Sequence, residues 1–263
     1  MTAGALAAGA AVTSTDLLKL AGLAFVFVDH FGLFFDAAEP WWRVLGRAAA
    51  PIFFFLIGFA RTRAVPWTWL VLGAALTALD LFTSDDWSDV GLNILLNFAL
   101  IRLALPLVEA QVMPRRERVA LLVLACIVLI PVLGRVLEYG SEGWLWALLG
   151  LSHRLAIENG GWRLARNAIA AVTAAVYVVR ETFDLGFEGA EVVGLALLIA
   201  GLALVLTCFR RVAYPWRGPV PVASAVNWIG RHSLEIYAVS LFAMQSLAYA
   251  WGDAEDDGDD EAA

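Results

Sequence analysis

The sequence predicts an all-α, polytopic transmembrane bundle of about nine helices, with the amino terminus cytoplasmic and the carboxyl terminus outside. Three observations carry that expectation. Of the 263 residues, 61% are hydrophobic and only 16% charged, and the mean hydropathy of +0.75 is far above that of soluble domains. Apolar runs of roughly 17 to 25 residues, long enough to cross a bilayer, recur from end to end. The basic residues between those runs also alternate in a way that assigns each loop to a side.

The runs fall in order at 17–35, 44–60, 67–82, 92–108, 119–137, 144–157, 164–179, 192–209 and 233–251. Apart from Lys19 and Gly22 the first is Leu, Ala, Phe and Val until Asp29-His30 interrupts it, and the second carries Pro51 and Gly58. The third opens on Trp67 and Trp69; the fourth opens on Leu92-Asn93 and contains Arg102. Cys126 and Cys208 sit inside the fifth and eighth, where they read as buried small hydrophobes rather than a disulfide or a metal pair. The sixth and seventh are short, and the ninth closes at Trp251. Residues 1–16 form a short cytoplasmic segment and 17–251 one membrane domain. Segment 1–15 lacks the basic start of a cleavable signal, so the first span is expected to be retained. Residues 252–263 form a tail with seven acids between Asp253 and Glu261, expected to be disordered.

With the amino terminus inside, the even-numbered loops collect Arg61, Arg63, Arg115, Arg116, Arg118, Arg154, Arg163, Arg166, Arg210, Arg211, Arg217 and Arg231, while Lys19 lies at the inner start of the first span. The outer loops hold Arg43, Arg135 and Arg180 together with the acids Asp85, Asp86, Asp89, Glu181, Asp184, Glu188 and Glu191. This is the positive-inside pattern. The 11 Trp residues fall at the ends of runs or in short loops, as an aromatic belt at both interfaces requires. There is no CxxC, no HExxH, no Gly-rich phosphate loop and no internal repeat. Nothing in the chain calls for a metal or a nucleic acid; the expected partner is the lipid bilayer.

The ionisable residues inside the runs are the functional lead, because each costs roughly 2.5 to 3.5 kcal/mol on insertion scales. Asp29 and His30 lie about five residues from the outer end of the first span, hence roughly 8 Å deep. Arg47 enters the second span from the same side at about 5 Å. A salt bridge from Arg47 to Asp29 would offset the cost of burying both. Neighbours on a helix diverge by about 100°, so Asp29 is expected to engage Arg47 or Arg43 while His30 faces a cavity. A neutral imidazole there is the natural general base near neutral pH. Asp80, Asn93 and Glu138 lie at the same end and are expected to converge on this set. Arg102, near the middle of the fourth span, is either a partner for a carboxylate or a contact for an anion. His153, Arg154, His232 and Glu235 read as interface charges and caps on the cytoplasmic side.

The segment from Leu18-Lys19 to Asp29-His30-Phe31-Gly32 resembles the opening of the TraX family of polytopic membrane proteins. Trp42-Arg43-Val44-Leu45-Gly46-Arg47, then Pro51-Ile52-Phe53 and Gly58, are similar to the next stretch of that family, and Leu92-Asn93 and Glu138-Tyr139-Gly140 are weaker matches. The resemblance covers about the first 150 residues well and the rest loosely. TraX proteins are associated with acetylation of a pilin amino terminus and resemble a wider group of transmembrane acyltransferases, which use an intramembrane His near the outer end of an early helix. The closing segment from Ile229-Gly230-Arg231-His232 to Tyr237 is similar to the last helix of such enzymes, except that Ser240 stands where a His often comes after the Tyr.

The resemblance implies an integral membrane acyltransferase. It would carry an acetyl group from acetyl-CoA to an acceptor hydroxyl or amine on the outer side: a protein amino terminus, a glycan or a lipid. His30, with Asp29, would supply the catalytic base; Arg43 or Arg47 would stabilise the oxyanion; Arg102, Asp80 and Asn93 would contact substrate. The basic loops around Arg61 and Arg115 read as topology determinants or as attractors of coenzyme A phosphates. Two rivals use the same residues. A proton-coupled or small-molecule transporter would call for broken helices or inverted repeats, of which Pro51 and Gly58 are the nearest sign. In a non-enzymatic assembly protein, the buried polar groups would only fix helix packing.

Overall fold

A computed structural model describes residues 11–84, 87 and 90–260, without the side chains of 251–260. The expected segment 1–16 therefore lies mostly outside the described residues. Helix α1 (Ser14–Phe34) starts at a reciprocal cap: the Asp16 amide donates to Thr13 Oγ1 at 3.2 Å and the Thr13 amide donates to Asp16 Oδ2 at 3.0 Å. The second run is not one helix. It is divided into α2 (Pro40–Gly46), which begins on Pro40 with Glu39 capping the Trp41 amide, and α3 (Ala49–Phe59). Every residue from Ala49 to Gly58 is buried, so α3 is apolar all round and forms the axis of the bundle.

Around it stand α4 (Trp67–Thr83), α5 (Ile94–Leu107), α6 (Arg116–Leu133), α7 (Glu142–Asn159), α8 (Arg163–Leu185), α9 (Ala190–Cys208), α10 (Val220–Arg231) and α11 (Ser233–Asp260). After Pro106, α5 loosens into a π turn over Val108–Val112. Helices α3 and α7 meet along small residues. A Cβ on Gly58 would overlap the Ala147 carbonyl, and one on Gly150 would overlap the Phe55 carbonyl.

The outer surface is apolar. Leu121, Leu124 and Val128 on α6, Phe183 on α8 and Leu197, Leu204 and Val205 on α9 are exposed, the inverse of a soluble surface. Four helical stretches are long and apolar enough to span a bilayer: Ser14–Phe34, Pro40–Phe59, Ile94–Val112 and Ala190–Cys208. Together these features mark a helical membrane protein.

Several expectations change. The chain is not wholly helical, since β1 (Ala11–Thr13) pairs antiparallel with β2 (Ala213–Pro215), joining the start of α1 to the loop after α9. Helices α7 and α8 are longer than the runs 144–157 and 164–179, because their ends carry Glu142, Glu181 and Asp184, which a hydropathy window rejects. Helix α6 stops at Leu133, ahead of the expected 137, and the loop 134–141 turns back into the bundle. There Leu92 and Leu137 form a parallel bridge, and Tyr139 (φ 59°) and Gly140 (φ 36°) adopt left-handed backbone. Helix α11 carries helical backbone through most of the acidic stretch expected to be disordered. Trp69 and Trp146 are buried core residues rather than interface anchors, and Cys208 is exposed, whereas Cys126 is buried.

Candidate functional site

Asp29 and His30 sit near the C-terminal end of α1, where α2 crosses closest. Gly46 permits that crossing, since a Cβ there would overlap both Cα and Cβ of Asp29. The chain then breaks between α2 and α3, and Arg47 occupies the break. Its Nε donates to Asp29 Oδ1 at 3.2 Å, Nη2 donates to Asp29 Oδ2, and Nη1 donates to Glu181 Oε2 on α8 at 3.1 Å. Arg43 Nη1 reaches Asp29 Oδ2 at 3.1 Å and the Asp29 carbonyl at 3.2 Å. Tyr177 donates its hydroxyl to the Arg47 carbonyl at 2.9 Å, and the Tyr139 ring lies 5.9 Å from the guanidinium. Asp29, Arg47 and Glu181 are 6%, 7% and 4% exposed, so two carboxylates and a guanidinium are desolvated together. Such a cluster survives only because its members neutralise one another.

His30 takes no part in it. Its Nδ1 is buried without a hydrogen-bond partner among the described residues, and its ring lies 5.8 Å from that of Tyr237 and 6.2 Å from that of Phe34. It lines a cavity of about 600 Å³, within the size range of small-molecule sites.

The opposite wall is built from α5 and the 134–141 loop. Asn93 caps α5 through Oδ1, 3.1 Å from the Leu95 amide, and its Nδ2 donates to Glu138 Oε2 and to the Tyr237 hydroxyl, each at 3.3 Å. The Ile94 amide also donates to Glu138 Oε2, at 2.8 Å. One turn on, Asn97 Nδ2 donates to the carbonyls of Glu138 and Gly140 at 3.0 and 3.1 Å and holds the left-handed turn in place. Glu138 lies in this loop, outside the helices. Burial pushes its carboxyl up to about 7, against the opposing bond from the Ile94 amide. Asp80 completes the rim, accepting from Gln245 Nε2 at 2.8 Å. Among the described residues no group of three or more His, Cys, Asp or Glu is arranged to hold a metal ion.

The structure thus brings together Asp29, His30, Arg43, Arg47, Asp80 and Asn93 around one cavity, with Glu138. Arg102, expected either as the partner of a carboxylate or as a contact for an anion, is not among them and forms no ion pair among the described residues. Arg102 lines a second cavity of about 780 Å³ at the other end of the bundle, with its guanidinium 4.3 Å above the Trp69 ring and Nη1 donating to the Ala64 carbonyl at 2.7 Å. Phe53 and Leu234 line both cavities.

Two further expectations fail. His153 and Arg154 are not interface charges: His153 Nε2 bonds the Phe209 carbonyl at 2.7 Å beside the rings of Phe55 and Phe59, and buried Arg154 pairs with Glu109 at 2.7 Å. Glu181, assigned to an outer loop, is the buried second partner of Arg47. Its signal lay in Thr173, Tyr177 and Glu181, all buried and four residues apart, which is a polar stripe down one face of α8.

Chemically, the arrangement offers an imidazole that faces a cavity beside fixed positive charge and makes no hydrogen bond among the described residues. Both arginines line the cavity; Arg47 commits three nitrogens to carboxylates, whereas Arg43 is bonded to Asp29 through Nη1 alone. The family described as TraX protein has a model that matches residues 14–248. No curated protein and no solved structure matches the chain.

Proposed function

Since the chain belongs to the TraX family, we propose that it is an integral membrane acyltransferase that moves an acetyl group from acetyl-CoA on the cytoplasmic side to an amine or hydroxyl on the outer side. In this reading the chain crosses the membrane nine times. The basic end with Arg61, Arg115 and Arg210 faces the cytoplasm, and the His30 cavity opens outward. The carrying observation is His30, an imidazole in a cavity of ligand size whose buried Nδ1 has no partner among the described residues.

The reaction assigns each group one task. The His30 imidazole takes the proton of the acceptor N–H or O–H as that atom attacks the thioester carbonyl carbon. The carbonyl oxygen becomes an oxyanion, stabilised by Arg43, with Arg47 holding Asp29 and thereby the position of Arg43. The C–S bond then breaks and the imidazolium returns its proton to the leaving thiolate, giving the acylated acceptor and coenzyme A thiol. Asp29 acts as a positioning residue, because it bonds Arg43 and Arg47 and makes no hydrogen bond to His30 among the described residues.

A transporter remains the second reading, favoured by the helix break at Arg47 and by the two cavities that share Phe53 and Leu234. Vesicles containing the protein, with acetyl-labelled acetyl-CoA trapped inside and mixed amines and alcohols outside, separate the two. Label covalently attached to an external acceptor is the expected result. Label leaving the vesicles with no acylated product would overturn the acyltransferase.

A further inference from the structure

The second cavity carries a charge that the fold does not neutralise. Lys19, Arg102, Arg210, Arg211 and Arg231 line it, and none forms an ion pair among the described residues. Its two lining carboxylates do not balance them: Glu158 is taken by Arg61 at 2.7 Å and Arg154 at 3.8 Å, which leaves Glu235, with Asp16 beside Lys19 at the edge of the cavity, against five cations. Lys19 and Arg102 are half-buried, so they do not simply reach out to a water-facing surface. Both are held by backbone carbonyls instead, Lys19 Nζ by that of Gly230 at 2.7 Å and Arg102 Nη1 by that of Ala64 at 2.7 Å. Arg102 Nε is buried without a hydrogen-bond partner among the described residues. Arg210, Arg211 and Arg231 are exposed and stand where the cavity meets solvent.

Ordinary positive-inside residues spread along an interface. Here they converge on a concave site, where walls of low dielectric constant strengthen the attraction for an anion. Planar guanidinium groups beside an ammonium suit clustered phosphate oxygens.

We infer that this cavity is a binding site for a polyphosphate anion, with Arg102 and Lys19 holding the phosphates within it and Arg210, Arg211 and Arg231 drawing them in. Identification of the anion as coenzyme A rests on the acyltransferase reading above. In that case the thioester end points toward Phe53 and Leu234, the side chains that this cavity shares with the His30 cavity. The same chemistry is offered by the headgroup of an anionic lipid with two phosphates, and the choice of bilayer separates the two sources.

The test is equilibrium binding of free coenzyme A, and of a diphosphate lipid, to the protein in discs of neutral phosphatidylcholine. The comparison is between the parent, Arg102→Gln and Arg231→Gln. Arg231 is exposed and lies at the end of α10, so its variant keeps the test valid if Arg102→Gln fails to fold. Coenzyme A binding that weakens about tenfold or more in either folded variant, and that weakens with added salt, supports the site with a soluble ligand. Binding of the diphosphate lipid alone, with the same sensitivity, supports the site with a lipid ligand. Binding of neither probe, or binding unchanged in both variants, overturns the inference. Binding that responds to both substitutions without any acetyl transfer keeps this site and overturns the acyltransferase. Transfer that needs His30 but is indifferent to Arg102 and Arg231 does the reverse.

Discussion

Replacing Arg47 by Met keeps most of the side-chain volume and removes the charge on which the buried cluster depends. Three bonds disappear: two to Asp29, one of them at 3.2 Å, and one to Glu181 at 3.1 Å. Asp29 keeps Arg43 at 3.1 Å, whereas Glu181 makes no other hydrogen bond or ion pair among the described residues. A carboxylate 4% exposed is then left without compensation. Breaking a buried pair in this way costs about 3–5 kcal/mol. For a chain of this size that lowers the melting midpoint by on the order of 10 °C. Adding Glu181→Gln removes the orphaned charge, so the double variant is expected to regain about half of the loss rather than fall further. Intrinsic tryptophan fluorescence in lipid discs, on heating the parent, both single variants and the double variant, measures the full cycle. A single Arg47→Met variant within about 1 kcal/mol of the parent, or losses that simply add, would refute the cluster as the support of the site.

Gly46→Ala is expected to cost about 1–3 kcal/mol, as a Cβ there overlaps Asp29 and forces α1 and α2 apart. The same melting assay reads it, and acetyl transfer should fall with it because Arg43 and Arg47 lose their common partner. Glu138 has a carboxyl raised to about 7, so the folded protein holds a proton that the unfolded chain releases near its ordinary value. That contribution is fully present at low pH and is lost as pH rises through 7. The melting midpoint of the parent should therefore fall between about pH 5 and 7 relative to that of Glu138→Gln. Parallel pH profiles for the two would contradict the assignment.

Much of the site was legible because charge inside an apolar run is conspicuous. Asp29, His30 and Arg47 stand out for that reason, with Arg43 in the adjoining loop, and their depth from one end of the bundle predicted that they meet. Arg102 was legible in kind but not in place. It lies nine residues beyond Asn93, roughly 14 Å further along the helix axis, too far to share the His30 cavity. Glu181 escaped because a hydropathy window ends the span at the charged pair Arg180-Glu181, whereas the fold continues α8 and buries Glu181 against Arg47. The break at Arg47 is written only faintly: Gly46 marks the close approach, and nothing local demands that the helix stop there. The burial of Trp146 against Tyr177 was hidden because Trp at a span end suits both an interface and a core. The 134–141 turn depends on Asn97, whose partners are more than forty residues away in sequence.

The central claim is that His30 is the base of an acyl transfer, and the most direct measurement is turnover of labelled acetyl-CoA by the purified protein in lipid. Parent and His30→Gln are compared at equal melting temperature. His30 makes no hydrogen bond through Nδ1 among the described residues, so the substitution should leave the fold intact. Loss of thioester consumption in the folded variant, by about 100-fold or more, is the predicted result. Unchanged consumption in the variant, or none in a well-folded parent, would contradict it.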